Sequence, residues 1–124
     1  MKVLFATSEA FPFAVSGGLG DVSYALPKAL RKKFVGVRVI MPLYSKIRPE
    51  LRENMQFITS IGVPVAWRSQ YCGIFEAKYD GVTYILLDNE HYFKRSGMYG
   101  EFDDAERFAF FSRAVLEAIP YIDF

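Results

Sequence analysis

The sequence has little cysteine, little histidine and no excess of charge of either sign. Its one cysteine, Cys72, excludes an intrachain disulfide and a metal site built on cysteines. Fifteen basic residues stand against 14 acidic ones, which indicates no surface for nucleic acid or an anionic membrane. No apolar run approaches the roughly 18 residues that span a bilayer, and Glu9 interrupts the first run too early for a signal peptide. These absences favour a cytoplasmic protein with no nucleic-acid or membrane partner.

Apolar and aromatic residues are abundant instead. The 124 residues are 52% hydrophobic and 17% aromatic, with 12 Phe and 8 Tyr. This composition argues against disorder, and a chain of this length is the size of one ordinary domain. We therefore expect a single folded unit with a substantial core.

The first forty residues predict a β-strand, a helix and a second β-strand. The apolar run 2–7 is typical of a buried strand, and the helix is predicted over 21–33 with Asp21 as its N-cap. Its apolar face is spaced at helical intervals and consists of Val22, Ala25, Leu26, Ala29 and Leu30. Pro27 should kink or shift this helix. With a second strand over 37–41, the pattern is a βαβ unit whose two strands are parallel neighbours.

The rest of the chain predicts further strands and one long helix. A short helix is expected within 45–54, then strands over 57–65, 70–79 and 82–88, the last two joined by a hairpin turn at Asp80-Gly81. A helix is predicted over 103–118, and residues 121–124 read as the start of another strand, so that the chain ends inside a structural pattern. The predicted fold class is α/β, Rossmann-like, with a mostly parallel sheet and a β-hairpin.

The glycine-rich loop Ser16-Gly17-Gly18-Leu19-Gly20-Asp21 follows the first strand and opens the first helix. Backbone N–H groups in such a loop can approach an anion, helped by the helix dipole. The loop lacks the Gly-Lys-Ser/Thr ending of a P-loop and the third glycine of a dinucleotide fingerprint, since Ser23 stands at that position. On local pattern alone, a glycine-rich turn without any ligand stays open.

Two blocks of sequence resemble one known family. The stretches VLFATSEAFPFA, SGGLGDV, ALPKAL and VRVIMP, followed by DNEHYFKRSGMYG at 88–100 and DDAERFAFFSRAVLE at 103–117, resemble the opening of bacterial glycogen synthases and plant starch synthases. The resemblance implies a GT-B fold of two Rossmann-like domains, of which residues 1–124 would be part of the N-terminal one. It also implies transfer of glucose from ADP-glucose to the non-reducing end of an α-1,4-glucan, with retention of configuration and with no metal or other cofactor.

The resemblance also implies which residues contact the substrate. Gly17 and Gly18 match a family loop that lies against the phosphates and glucose of the sugar nucleotide, and Asp21 matches the acidic residue after it. Tyr99 matches an aromatic residue beside the nucleotide, with a packed loop aromatic as the alternative. The family loop begins with lysine, where this chain has Val15. No catalytic residue is expected in this chain, because the family's active-site histidine, its arginine–lysine pair and its glutamate lie beyond it.

Other residues that could carry chemistry are expected to be structural. His91 is interpreted as a capping or surface residue at the start of a short helix, and Cys72 as a packed apolar residue in a strand. Arg95, Glu106 and Arg107 are expected to form ion pairs or to lie on a solvated face.

Three kinds of function follow from these observations. The chain is a part of an enzyme that is inactive alone, a stand-alone module that binds nucleotide or glucan, or an interaction domain without a ligand. A chain that stops within a domain should leave an apolar helix face and a sheet edge uncovered, which predicts self-association.

Overall fold

The computed structural model describes all 124 residues. At its centre lies a five-stranded sheet with the order β1-β2-β5-β4-β3. The elements in chain order are β1 (Lys2–Ala6), α1 (Gly18–Lys32), β2 (Gly36–Pro42), α2 (Pro49–Arg52), β3 (Gln56–Val65), β4 (Arg68–Tyr79), β5 (Val82–Asp88), α3 (Glu90–Phe93) and α4 (Asp104–Ala118), followed by a 3₁₀ turn over Ile119–Tyr121. The predicted α/β class and the order of the elements are confirmed.

The first half of the sheet is parallel. β1 pairs with β2, and β2 pairs with β5, both in parallel, so the predicted βαβ unit is present. α1 packs mainly against β2. β1 has β2 as its only neighbour, which leaves the outer edge of β1 unpaired.

The second half of the sheet is antiparallel, which corrects the expectation of a mostly parallel sheet. β3, β4 and β5 form a meander with two antiparallel pairings, equal in number to the parallel ones. The physical reason is the length of the connections, because two residues can close a hairpin but cannot make a parallel crossover. The predicted turn at Asp80-Gly81 is confirmed, and both residues have positive φ, at 49° and 78°, as a hairpin of this length favours.

The helix α1 differs from its prediction in its start and in its buried face. It begins at Gly18 with Gly17 as N-cap, so Asp21 lies in the first turn and is not the cap. Gly20, Ser23 and Pro27 are its buried residues, and the helix continues through Pro27. The predicted apolar face is largely uncovered, with Val22 53% exposed. Small side chains let the helix lie close to the sheet, and the Ser23 hydroxyl is hydrogen-bonded to that of Thr7 at 2.9 Å.

The second long helix, α4, lies where the sequence predicted it, but the residues after it do not form a strand. Its buried apolar positions include Phe111 and Val115, whereas Ile119 is outside the helix and exposed. Pro120 lies in the 3₁₀ turn that follows. The predicted strand over 121–124 is wrong, because this tail is held by side chains: Arg38 donates a hydrogen bond to the Ile122 carbonyl and stacks on the Phe124 ring.

The hydrophobic core packs the sheet against α3 and α4 and includes the single thiol. Cys72 on β4 is fully buried, and burial, with the nearby Asp88 charge, raises its pKa to about 12. His91 is exposed on α3, whose cap is the Asn89 side chain, so the prediction of a surface histidine is confirmed. None of the helices has the length and apolar character needed to cross a membrane.

Candidate functional site

Loops from the carboxyl ends of β1, β2 and β5 meet beside the start of α1. The Tyr44 hydroxyl, after β2, donates to the Ser8 carbonyl, after β1, at 2.7 Å. The Ser8 hydroxyl lies 2.6 Å from the Tyr99 hydroxyl, which belongs to the segment between β5 and α4. Open α/β sheets place their ligands outside the carboxyl ends of their parallel strands. This meeting point is therefore the candidate site.

A buried carboxylate, Glu9, lies at the centre of this site. It is 2% exposed and accepts four hydrogen bonds. The Ser16 backbone N–H and hydroxyl each donate at 2.7 Å, the Tyr99 hydroxyl donates at 2.7 Å, and the Gly17 N–H donates at 3.3 Å. Sequence reasoning missed this residue. The available signal was an acidic residue three positions after the first strand and shortly before a glycine-rich loop. That strand, predicted to be buried, is only partly covered in the structure, since none of the residues of β1 is fully buried.

Glu9 remains ionised at neutral pH because its donors outweigh its burial. Burial alone would raise the pKa of the Glu9 carboxyl, but the hydrogen bonds from Ser16, Tyr99 and Gly17 bring that pKa below its ordinary value of 4.5. No lysine or arginine forms an ion pair with it. The charge is stabilised by backbone and hydroxyl dipoles alone.

Glu9 determines which backbone N–H groups of the glycine-rich loop remain free to bind an external anion. The Ser16 and Gly17 amides are already used by its carboxylate, and the Gly20 amide donates to the Gly17 carbonyl at 3.1 Å. The Gly18 and Leu19 amides, at the first two positions of α1, have no acceptor within the chain. They are the loop's free donors, at the positive end of the helix dipole.

Val15 lies against the start of α1 and closes the space around Gly20. A Cβ atom on Gly20 would lie 2.8 Å from Val15 Cγ1 and 3.0 Å from Glu9 Oε2. Val15 is nevertheless 43% exposed, so its position faces solvent in part. The side chain at this position is uncharged, so it places no cation beside the glycine-rich loop.

The structure brings most of the predicted substrate-binding residues together. Val15, Gly17 and Tyr99 surround Glu9, and nothing lies within 4 Å of the place where a Cβ on Gly17 or Gly18 would stand. Asp21 is exposed in the first turn of α1, and its carboxylate forms no hydrogen bond or ion pair within the chain. The assignment of these residues to a ligand stays a prediction.

Two arginines, Arg95 and Arg107, fix the segment that leads to Tyr99. Its ring is 41% exposed and lies 5.9 Å from the Phe108 ring, centroid to centroid. Arg107 is fully buried and donates to the Tyr92 and Met98 carbonyls at 2.7 and 3.0 Å, which fixes both ends of the intervening segment. Arg95 forms a two-bond ion pair with Asp103, at 2.8 and 2.9 Å.

The expected ion pairs of this region are confirmed. Arg95 pairs with Asp103, Arg107 with Asp104, and Glu106 with Arg68. The sequence did not reveal that Arg107 is buried.

A separate polar cleft of about 660 Å³ lies between the β2–α2 connection and α3. Lys46, Arg52, Lys94, Asp88 and Glu90 line it together with other residues. Its charges are of mixed sign, and none of the predicted substrate-binding residues borders it. The geometry of the glycine-rich loop therefore remains the better-defined candidate.

The fold and the loop define a Rossmann-like α/β domain with two free amides at a helix N-terminus. The family model described as the starch synthase catalytic domain matches residues 2–124. The chain belongs to this family. It is 60% identical over 124 residues to a glycogen synthase of Caldicellulosiruptor bescii and 61% identical over 122 residues to one of Clostridium acetobutylicum. These alignments cover 100% and 98% of the chain but 26% of each relative, so the chain spans about a quarter of their length.

A solved structure has the same fold. The catalytic domain of starch synthase IV from Arabidopsis thaliana, bound to ADP and acarbose, matches with a TM-score of 0.87 and 32% sequence identity. The match covers 96% of this chain and 25% of that one.

Proposed function

We propose that this chain is part of the N-terminal domain of a glycogen synthase with a GT-B fold. The complete protein would transfer glucose from ADP-glucose to the non-reducing end of an α-1,4-glucan with retention of configuration. The observation that carries the proposal is the match to the starch synthase catalytic domain across residues 2–124, with about 60% identity to glycogen synthases. The ADP in the matching starch synthase structure supports a nucleotide donor.

The site suggests how this part of the enzyme would hold the donor. The free Gly18 and Leu19 amides would donate to a phosphate oxygen, strengthened by the α1 dipole. Gly17 and Gly18 leave open space on the loop, so a phosphate or a sugar could approach the backbone closely. Tyr99, partly exposed beside the loop, would flank the nucleotide.

The proposed chemistry requires groups that this chain does not supply. Stabilising the leaving diphosphate calls for positive charge, and at Val15 this chain has none. The acid, base and cationic groups of the reaction would come from the rest of the protein, across a cleft. The chain alone would therefore bind without turnover.

The proposal includes a cytoplasmic location and self-association of the isolated chain. A single buried thiol suits a reducing compartment. The unpaired outer edge of β1 and the exposed apolar residues Leu19, Val22 and Leu26 on α1 support association, since both features favour a partner surface.

A chimeric enzyme tests the proposed function directly. This chain would replace the matching segment of the Caldicellulosiruptor bescii glycogen synthase, to which it is 60% identical. We expect the chimera to incorporate glucose from radiolabelled ADP-glucose into glycogen, whereas the same relative with the segment deleted should not. A folded chimera that incorporates no glucose would contradict the proposal.

A further inference from the structure

Glu9 is the only acidic residue of the chain whose side chain is buried. A buried carboxylate is costly unless hydrogen bonds or a cation compensate its charge. Here no cation does so, and the four donors come from segments far apart in sequence: residues 16–17 and Tyr99, which is 90 positions away. The carboxylate is thus hydrogen-bonded both to the glycine-rich loop and to Tyr99.

The backbone of Glu9 is fixed as well. The Thr7 hydroxyl donates to the Glu9 carbonyl at 2.8 Å, and the Glu9 N–H donates back to the Thr7 oxygen at 3.3 Å. Thr7 is also hydrogen-bonded to Ser23 on α1. The backbone of Glu9 is therefore fixed relative to both β1 and α1. Through its carboxylate, Glu9 in turn fixes the position of the loop.

Glu9 also decides which amides of the loop are free. With its carboxylate bound to the Ser16 and Gly17 amides, the neighbouring Gly18 and Leu19 amides have no acceptor. If the carboxylate were absent, the Ser16 and Gly17 amides would lose their acceptor and could turn towards a ligand themselves.

We propose that Glu9 is a positioning residue for the donor, because its carboxylate fixes the glycine-rich loop and Tyr99 relative to each other. In this arrangement the Gly18 and Leu19 amides and the Tyr99 ring contact the same sugar nucleotide. This inference rests on the proposed function. Both carboxylate oxygens are already bound to Ser16, Gly17 and Tyr99, so Glu9 acts on the donor through these groups.

The first test uses the chain itself and needs no activity. Amide hydrogen exchange is measured for the wild type and for Glu9→Leu, which keeps about the size of the side chain but leaves no acceptor for the Ser16 and Gly17 amides, both of which donate to Oε2. We expect the protection of the Ser16 amide to fall at least about tenfold, while amides in β4 and α4 keep theirs. The matched control is Glu106→Leu, since Glu106 also accepts from a tyrosine, Tyr92 at 2.6 Å, but does not touch the loop.

The second test uses the chimeric enzyme and separates positioning from a loss of folded protein. We expect Glu9→Gln to raise the KM for ADP-glucose about tenfold and to leave the KM for glycogen unchanged. Partial unfolding would instead lower the apparent kcat and leave both KM values as they were. Glu106→Gln should change neither KM.

A double-mutant cycle tests the link to Tyr99. If Glu9 acts through Tyr99 and the loop together, Glu9→Gln combined with Tyr99→Phe should raise the donor KM by less than the product of the two single effects. Tyr99→Phe removes only one hydroxyl group, so if Glu9→Gln does not fold, the donor KM of Tyr99→Phe alone still tests this link.

The outcomes distinguish the two proposals. A wild-type chimera without activity removes the proposed function, while the exchange experiment still decides whether Glu9 orders the loop. Unchanged Ser16 protection, or an unchanged donor KM in an active chimera, would overturn the positioning role.

Discussion

Val15 and Gly20 are packed so closely that a Cβ atom on Gly20 would lie 2.8 Å from Val15 Cγ1. Real Cβ contacts are essentially never this short. The valine side chain at position 15 therefore fits only because position 20 is glycine. The two positions enclose the loop that carries the free amides.

The contact predicts that Gly20→Ala destabilises the chain. A helical Gly→Ala change usually gains up to about 1 kcal/mol, but overpacking costs about 1–3 kcal/mol, so we expect a net loss of about 1 kcal/mol. The measurement is the urea unfolding midpoint. Gly18→Ala is the control, since nothing lies within 4 Å of its Cβ position, and it should be neutral or stabilising. Adding Val15→Ala to Gly20→Ala should recover part of the loss, and full additivity would contradict the coupling.

Val15→Lys is predicted to raise turnover in the chimeric enzyme. Val15 is partly exposed beside the free amides, so a lysine ammonium there could stabilise the leaving diphosphate. A charge-assisted contact is worth roughly 1.5–3 kcal/mol, or about ten- to a hundredfold, and the gain should appear mainly in kcat. Val15→Met, long but uncharged, is the control. No gain in kcat/KM with lysine would show that this loop functions without that charge, or that the ammonium pairs with Glu9 instead.

The ionised state of Glu9 predicts a pH dependence of stability. Its pKa in the folded chain lies below the ordinary 4.5, so its stabilising contribution is complete above about pH 4.5 and is lost as the pH falls through the folded-state value. Glu9→Gln should therefore be less stable than the wild type near pH 7, by about 1–3 kcal/mol, and the gap should close in acid. Urea unfolding at about pH 7 and about pH 3 measures both values. An equal gap at both pH values would contradict this assignment.

The isolated chain is predicted to self-associate. Covering a few hundred Å² of apolar surface, at roughly 25 cal/mol per Å², is worth several kcal/mol, and the exposed residues Val22 and Leu26 of α1 supply part of such a surface. Sedimentation velocity should show association at high micromolar concentration, reduced by Val22→Gln with Leu26→Gln. Leu116→Gln, an exposed position on α4, is the control. A strictly monomeric wild type would refute the prediction.

The purified chain is predicted to have no glucosyltransferase activity. It spans about a quarter of its relatives and contains no candidate catalytic group in the proposed site. The measurement is incorporation of glucose from radiolabelled ADP-glucose into glycogen, with the chimera as the positive control. Incorporation above the level of a heat-denatured sample would contradict it.

Local patterns predicted the elements but not the faces they present. The turn at Asp80-Gly81, the two long helices and the parallel β1–β2 pair follow from turn chemistry and periodicity. The buried face of α1 could not be predicted this way, because periodicity finds an apolar stripe without stating what covers it. In this chain the buried residues of α1 include the small residues Gly20, which faces Val15 and Glu9, and Ser23, which faces Thr7.

Long-range contacts explain why the centre of the site was missed. Glu9 is bound by Tyr99 across 90 positions, and the buried Arg107 donates to carbonyls 15 and 9 positions away. No local signal encodes such a pairing. The glycine-rich loop was identified because its residue types are unusual in themselves.

The rate at which the single thiol, Cys72, is alkylated can measure how often the sheet opens. The thiol is enclosed at the centre of β4 and its pKa is about 12, so an alkylating reagent cannot modify it while the strands stay closed. Because no second cysteine competes for the reagent, the rate of labelling equals the rate at which this part of the sheet opens, or scales with its open population. If ADP binds at the glycine-rich loop as proposed, the labelling of Cys72 should be slower with ADP than without it, which would measure how much the ligand stabilises the sheet.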